Sequence, residues 1–202
     1  ERNTNIKPVD SYAEWSQGGT IKQKFRMIAR QIAVAGLSLG KNIANSTNWI
    51  RFPFYHHVFS DEVNGFKQQL SYLRKFGEFI SLNDAVKMLE KKVVIDGRYF
   101  CLTFDDGFSC CQQYALPIIC EFQIPAAFYV VSGLIGKVLE PENEVSRDVF
   151  GFRGRYTSLE FMSWPECREA IAAGVTIGSH TKTHVRLSKI TTKDIYTELL
   201  KS

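Results

Sequence analysis

Two short runs of the 202-residue chain carry the residue types that hydrolytic chemistry uses. The first is Thr103-Phe104-Asp105-Asp106-Gly107. Adjacent carboxylates repel one another, and holding both in a semi-enclosed cleft is costly unless a cation or a shared proton offsets the charge. The second is Ser179-His180-Thr181-Lys182-Thr183-His184. Histidines four apart face one metal when the segment makes a single helical turn. Each run alone has an ordinary explanation: the aspartates as a helix cap with a solvated neighbour, the histidines as a surface coincidence. Together they supply two neutral imidazoles and one carboxylate, a ligand set with open positions suited to zinc or another divalent transition metal. The second carboxylate is then free to act as a base. That combination describes a hydrolytic site.

Such a site needs elements that bring the two runs together. The first run follows a strong strand pattern over 98–104, and Gly107 permits a sharp turn out of it. The second follows a strand pattern over 175–178. Around them the sequence alternates strand and helix about five times. A strand over 49–58 precedes a helix over 62–76 closed by Gly77, and a brief strand at 79–80 precedes a helix that Ser81 and Asp84 cap and that runs to about Lys91. A helix over 109–123 is expected to be kinked or divided by Pro117. Then come a strand over 126–131, a long loop over 132–157, a helix over 158–173, and a final helix opened by Thr191. Repeated strand–helix units imply parallel strands with helical crossovers, whose function gathers beyond the strands' carboxyl ends. The fold class is α/β, read as an incomplete (β/α) barrel, because about five units are too few to close an eight-unit barrel. The pattern stops on a helix, so the chain is read as the N-terminal part of a larger domain, truncated after about five βα units.

Residues 1–48 look different. Residues 1–19 are polar and without periodicity, a tail or linker. Over 20–39, Ile21, Phe25, Ile28 and Ile32 form one stripe of a basic amphipathic helix. Such a helix either packs against the domain over 49–202 or lies on a membrane surface. Composition excludes other classes. Hydrophobic residues at 45% and charged residues at 23% are globular rather than disordered. A net charge of +4 gives little support to nucleic-acid binding, and no apolar run is long enough to span a membrane. Cys101, Cys110, Cys111, Cys120 and Cys167 fall in apolar runs and are odd in number, which points to packing in a reducing, cytoplasmic setting rather than to a disulfide framework.

The two chemical runs resemble the first two motifs of the polysaccharide deacetylases, the NodB-homology domain of carbohydrate esterase family four. Their order and spacing fit, and the resemblance spans about residues 50–202. It implies an irregular (β/α) barrel and a metal-dependent hydrolase that removes N-acetyl groups from a sugar or polysaccharide. It also implies that Asp105 is the catalytic base and that Asp106, His180 and His184 bind a divalent metal, zinc by preference with cobalt or nickel as substitutes. The family's later motifs, with an arginine that orients the base and a histidine near the leaving group, are expected beyond Ser202. Tyr55-His56-His57-Val58 resembles an early motif in a branch that deacetylates bacterial exopolysaccharides. It makes His56 a residue that faces the cleft to protonate the leaving amine or contact substrate; the alternative is that both histidines are packing or surface residues. Phe128, Tyr129, Tyr156 and Trp164 are aromatic faces of the kind that stack on sugar rings, but most phenylalanines are read as core and none is assigned to substrate. The loop over 132–157, with Arg147, Arg153 and Arg155, is either a substrate lid or an ordinary solvated loop. The resemblance places the protein in the cell envelope or outside the cell, against the cysteine reading. Two rival functions stay open: a truncated, non-catalytic domain that binds glycans or a partner, and a magnesium-dependent phosphotransferase. The latter would leave His180 and His184 without a role and lacks a glycine loop to cradle phosphate.

Overall fold

The computed structural model describes residues 6–16, 47–90, 94–152, 154 and 156–202; the amphipathic stretch over 20–39 lies outside them, as do Arg153 and Arg155. Apolar and β-branched runs build a parallel sheet. Its spine is β5 (Arg98–Phe100) and β6 (Leu102–Phe104), one strand interrupted at Cys101. Along one edge run β2 (Trp49–Arg51) and β3 (Phe54–Tyr55). Trp49 pairs with Arg98 and Tyr55 with Phe104, so register is kept through the break at Phe52–Pro53. Pro53 has no N–H to donate, but its carbonyl accepts from Thr103 N at 3.1 Å and carries the ladder across. The other edge carries the short β4 (Glu78–Phe79) on β5 and then β7 (Ala126–Val130) on β6. Beyond β7 lies β10 (Thr176–Ser179), also parallel. The order β10-β7-β6-β3 is an open sheet rather than a closed barrel.

Helices cross over between the strands: α2 (Val63–Leu73), α3 (Leu82–Glu90), α4 (Leu116–Glu121), α5 (Trp164–Ala172) and a last helix that follows β10. Phe66 and Leu70, one turn apart, bury the inner face of α2. Ser81 caps α3 as its spacing predicts, with Asp84 N donating to its Oγ at 3.1 Å. Pro117 does divide its helix. It stands in the first turn of α4, where a missing N–H costs nothing, behind wider, π-helical turns over Cys111–Ala115. β6 is buried along its length, and Phe104 meets Phe128 of β7 edge-on at 4.8 Å. That is the continuous apolar character of a strand covered on both faces.

The structure corrects three sequence expectations. Residues 157–160 are not helical. They form β9 (Thr157–Glu160), whose Thr157, Ser158 and Leu159 are buried, and α5 starts later, where the Ser163 side chain caps it and accepts from Glu166 N. The segment over 132–157 is not a featureless loop, because β8 (Val138–Leu139) leaves it to pair antiparallel with β9. Residues 6–16, expected in a tail, dock on the body. β1 (Lys7–Pro8) pairs parallel with β9, Val9 is buried, and α1 (Tyr12–Ser16) lays Trp15 against the core. No helix among the described residues is long and apolar enough to cross a membrane.

Candidate metal centre

The sheet order sets the problem that this site solves. β6, which leads to the aspartates, and β10, which leads to the histidines, lie on opposite sides of β7. Two strand spacings separate them, about 10 Å. Both loops therefore have to lean over the end of β7. Asp105 N still donates to Tyr55 O at 2.8 Å, one step beyond β6, and then Asp106 (φ 71°) and Gly107 (φ 77°) turn the chain sharply. A Cβ at Gly107 would meet Val130 Cγ1 at 2.9 Å, so the turn sits directly on the last residue of β7. From the other side His180 N donates to Val130 O at 2.8 Å, after which Thr181 takes φ 63°. Thr181 and Lys182 carbonyls accept from Ser132 N and Gly133 N at 3.2 and 2.9 Å. A Cβ at Gly133 would come within 2.4 Å of the Lys182 oxygen, so only glycine allows that approach.

The residues expected as ligands converge there. One ligand atom each from Asp106, His180 and His184 lies within 4.8 Å of the others. Nε2 of His184 is 3.1 Å and Nε2 of His180 is 3.6 Å from Asp106 Oδ1. Two ligands on one tetrahedral zinc, each at about 2.0–2.1 Å, would be about 3.4 Å apart. Asp106 is only 4% exposed, and its Oδ1 accepts no hydrogen bond. A buried carboxylate oxygen without a donor is costly, and a cation between it and the imidazoles removes that cost. The donor set and the orphaned oxygen both fit a divalent ion. The turn itself is not the helical one expected from the His-x-x-x-His spacing. His184 also has a left-handed backbone, φ 60°, and Thr181, being β-branched, is a true outlier. Each such residue costs about 1–2 kcal/mol, and strain of this kind persists where the surroundings over-determine it.

The other expected residues are placed less uniformly. Asp105 is half-buried beside Asp106 in the same turn. Burial pushes the Tyr129 hydroxyl up, with Cys101 and the Asp105 charge adding to it. His56 is exposed at the end of β3, its ring edge-on to Phe54 at 5.6 Å, and no hydrogen bond or ion pair joins that ring to the Asp106 group. His57 is a packing residue. It stacks on Phe59 at 4.5 Å and meets Trp15 at a tilt at 5.1 Å, with Nδ1 3.2 Å from Glu62. Of the four aromatics considered as stacking faces, Phe128 is core, Tyr129 is half-buried, and Tyr156 and Trp164 are exposed. Arg147 is exposed on the excursion between β8 and β9. All five cysteines are free, and four are buried. A hydrogen bond with Cys110, together with burial, pushes the Cys111 thiol well up, and its Sγ lies 3.3 Å from His56 O.

Two residues at the site were not singled out from the sequence. Phe150 stacks on the His184 ring, 5.1 Å between centroids and 20° between planes, and fixes its plane. Nothing local marks it among fifteen phenylalanines. Glu198 lies on α6 (Thr192–Leu200), buried, with its carboxylate against the backbone of Lys182 and Thr183. Its signal was available: an acid three residues after Ile195, on the face that the helix turns inward.

The family model described as polysaccharide deacetylase matches residues 92–202. The chain is similar to the solved structure of IcaB from Ammonifex degensii, at 25% identity and a TM-score of 0.54, over 68% of this chain and 54% of that one. It is also similar to the Streptococcus pyogenes deacetylase PplD in complex with acetate, at 21% identity and a TM-score of 0.56, over 78% and 66%. A third similar structure is the de-N-acetylase from Aggregatibacter actinomycetemcomitans, at 20% identity and a TM-score of 0.51, over 66% and 55%. The chain thus spans about half to two thirds of the length of these structures. No curated protein sequence matches it.

Proposed function

The chain belongs to the polysaccharide deacetylase family, and from that premise we propose that it is a metal-dependent hydrolase that removes N-acetyl groups from a sugar or polysaccharide. Asp106, His180 and His184 hold the ion, zinc by preference with cobalt or nickel as substitutes. When bound, such an ion polarises an amide carbonyl and acidifies a water towards a pKa of ~7. Asp105, the neighbouring carboxylate left outside the ligand set, takes the proton of the attacking water. A backbone N–H from the loop after a strand would help to stabilise the oxyanion as it forms. His56, exposed beyond β3, serves the leaving amine or the adjoining sugar. Acetate and a free amine are the products.

The observation that carries this reading is the approach of two imidazoles to a buried carboxylate oxygen that accepts no hydrogen bond. The test is release of acetate from N-acetylated oligosaccharides by zinc-loaded protein. Turnover is expected with the metal, is expected to be lost on chelation, and is expected to return when zinc is restored. Metal binding without acetate release from any N-acetylated glycan would instead favour a non-catalytic domain that binds glycans or a partner.

A further inference from the structure

We propose that Glu198 is a positioning residue for the metal ligands: from α6 its carboxylate locks the turn between His180 and His184 in the shape that presents both imidazoles to Asp106. The inference rests on reading Asp106, His180 and His184 as ligands. Among the described residues, Asp106 and Glu198 are the only charged side chains that are buried, at 4% and 8% exposure. Both meet the same turn. Asp106 faces its imidazoles and Glu198 holds its backbone.

The bonding is specific. Oε2 of Glu198 accepts from Lys182 N at 3.1 Å and Thr183 N at 2.9 Å, and Oε1 accepts from Thr183 Oγ1 at 2.9 Å. Burial of a carboxylate is tolerated when charge-assisted hydrogen bonds meet it, and three do. The carbonyls of Thr181 and Lys182 are meanwhile held by Ser132 N and Gly133 N from the extension of β7. His184 N closes the turn on Thr181 Oγ1 at 3.0 Å. The turn is thus gripped by its carbonyls on the sheet side and by its N–H groups on the helix side. Without Glu198 the Lys182 and Thr183 N–H groups lose their acceptor, and the left-handed residues at 181 and 184 lose half of what confines them. The imidazoles then spread over several orientations. Groups that orient metal ligands in this way typically change metal affinity 10–100-fold when removed.

Titration with Co²⁺ alone, followed by its visible absorption, reads both affinity and ligand geometry. Glu198→Ala is expected to weaken cobalt binding by about 10–100-fold and to alter the band. Glu198→Gln, whose amide oxygen still accepts from both N–H groups, is expected to lose less. Ile195→Ala, on the same face of the helix but with no polar group to offer the turn, is expected to lower the melting temperature and leave cobalt binding unchanged. Wild-type affinity and band in Glu198→Ala would overturn the proposal. So would an equal loss in Ile195→Ala, which would assign the effect to general loosening. If Glu198→Ala does not fold, Glu198→Asp takes its place, since the shorter side chain cannot keep all three contacts. Weakened binding there supports the proposal and unchanged binding overturns it. Failure of the wild-type protein to bind cobalt would remove the metal-centre reading itself, a result distinct from any in the variants.

Discussion

Asp105 and Asp106 are neighbours in the chain but not in environment. Asp106 turns inward, 4% exposed, with Oδ1 against two imidazole nitrogens; Asp105 stays half-buried in the sheet's last step. The proposed division of labour follows from that difference, and matched isosteres test it. Asp105→Asn removes a proton acceptor without changing shape, and turnover is expected to fall about 10²–10⁴-fold while zinc stays bound. Asp106→Asn replaces the anionic ligand with a neutral one, and zinc is expected to be lost on dialysis. Acetate release and metal content, measured on the same preparations, check both; the opposite pattern would exchange the roles. The same assay decides His56, where His56→Ala is expected to slow turnover with metal content unchanged and a wild-type rate would end its role. The cluster of Asp106, His180 and His184 was legible in the sequence because residue type and strand-end position mark it. Phe150 was not, because nothing local marks it; Glu198 carried a local signal, an acid on the inward face of its helix, but its path back to the site is visible only in the fold.

At the scale of elements, the segment over 6–16 shows what local pattern conceals. β1 is two residues long, too short for alternation to register, and its anchors are single side chains with distant partners. The Tyr114 hydroxyl, 104 residues on, bonds to Asp10, and that bond pushes it up to about 12. Trp15 meets His57, Phe59, Phe108 and Phe152 at 5.1–5.9 Å. β9 was misread for a related reason, since buried Thr157 and Ser158 break the apolar run that would announce a strand. α2 and α3 were legible because Phe66 with Leu70, and Ser81 with Asp84, act within their own turns. Docking by Trp15 has a measurable consequence. Truncating a buried tryptophan costs about 3–5 kcal/mol, and for this partly buried one about 2–3 kcal/mol is expected. Trp15→Ala should therefore lower the melting temperature by about 4–12 °C, at about 2–4 °C per kcal/mol for a chain of this size. Calorimetry checks this, and a shift near zero would make the segment a loose appendage.

Across the whole molecule, the proposed ion would join loops that the sheet holds apart. The turn after β6 and the turn after β10 reach over β7 from opposite sides, and among the described residues Asp106, His180 and His184 meet between them. Parallel register from β3 to β10 explains why strand–helix alternation was enough to place both runs at one end of the sheet, while the bend that brings them together was not legible. It depends on left-handed backbone at Asp106, Thr181 and His184, which no periodicity reports. A ligand that binds the folded state alone stabilises it by about 2.7 kcal/mol at a concentration 100 times its Kd. In a chain of this size that is about 5–11 °C of melting temperature. Zinc is therefore expected to raise the melting temperature by this amount, and a chelator is expected to return it to the metal-free value. Asp106→Asn should remove the response, whereas Asp105→Asn should keep it, because the base is not needed to tie the loops. A zinc response that survives in Asp106→Asn would put the ion elsewhere in the molecule, and the convergence over β7 would then serve the fold rather than the chemistry.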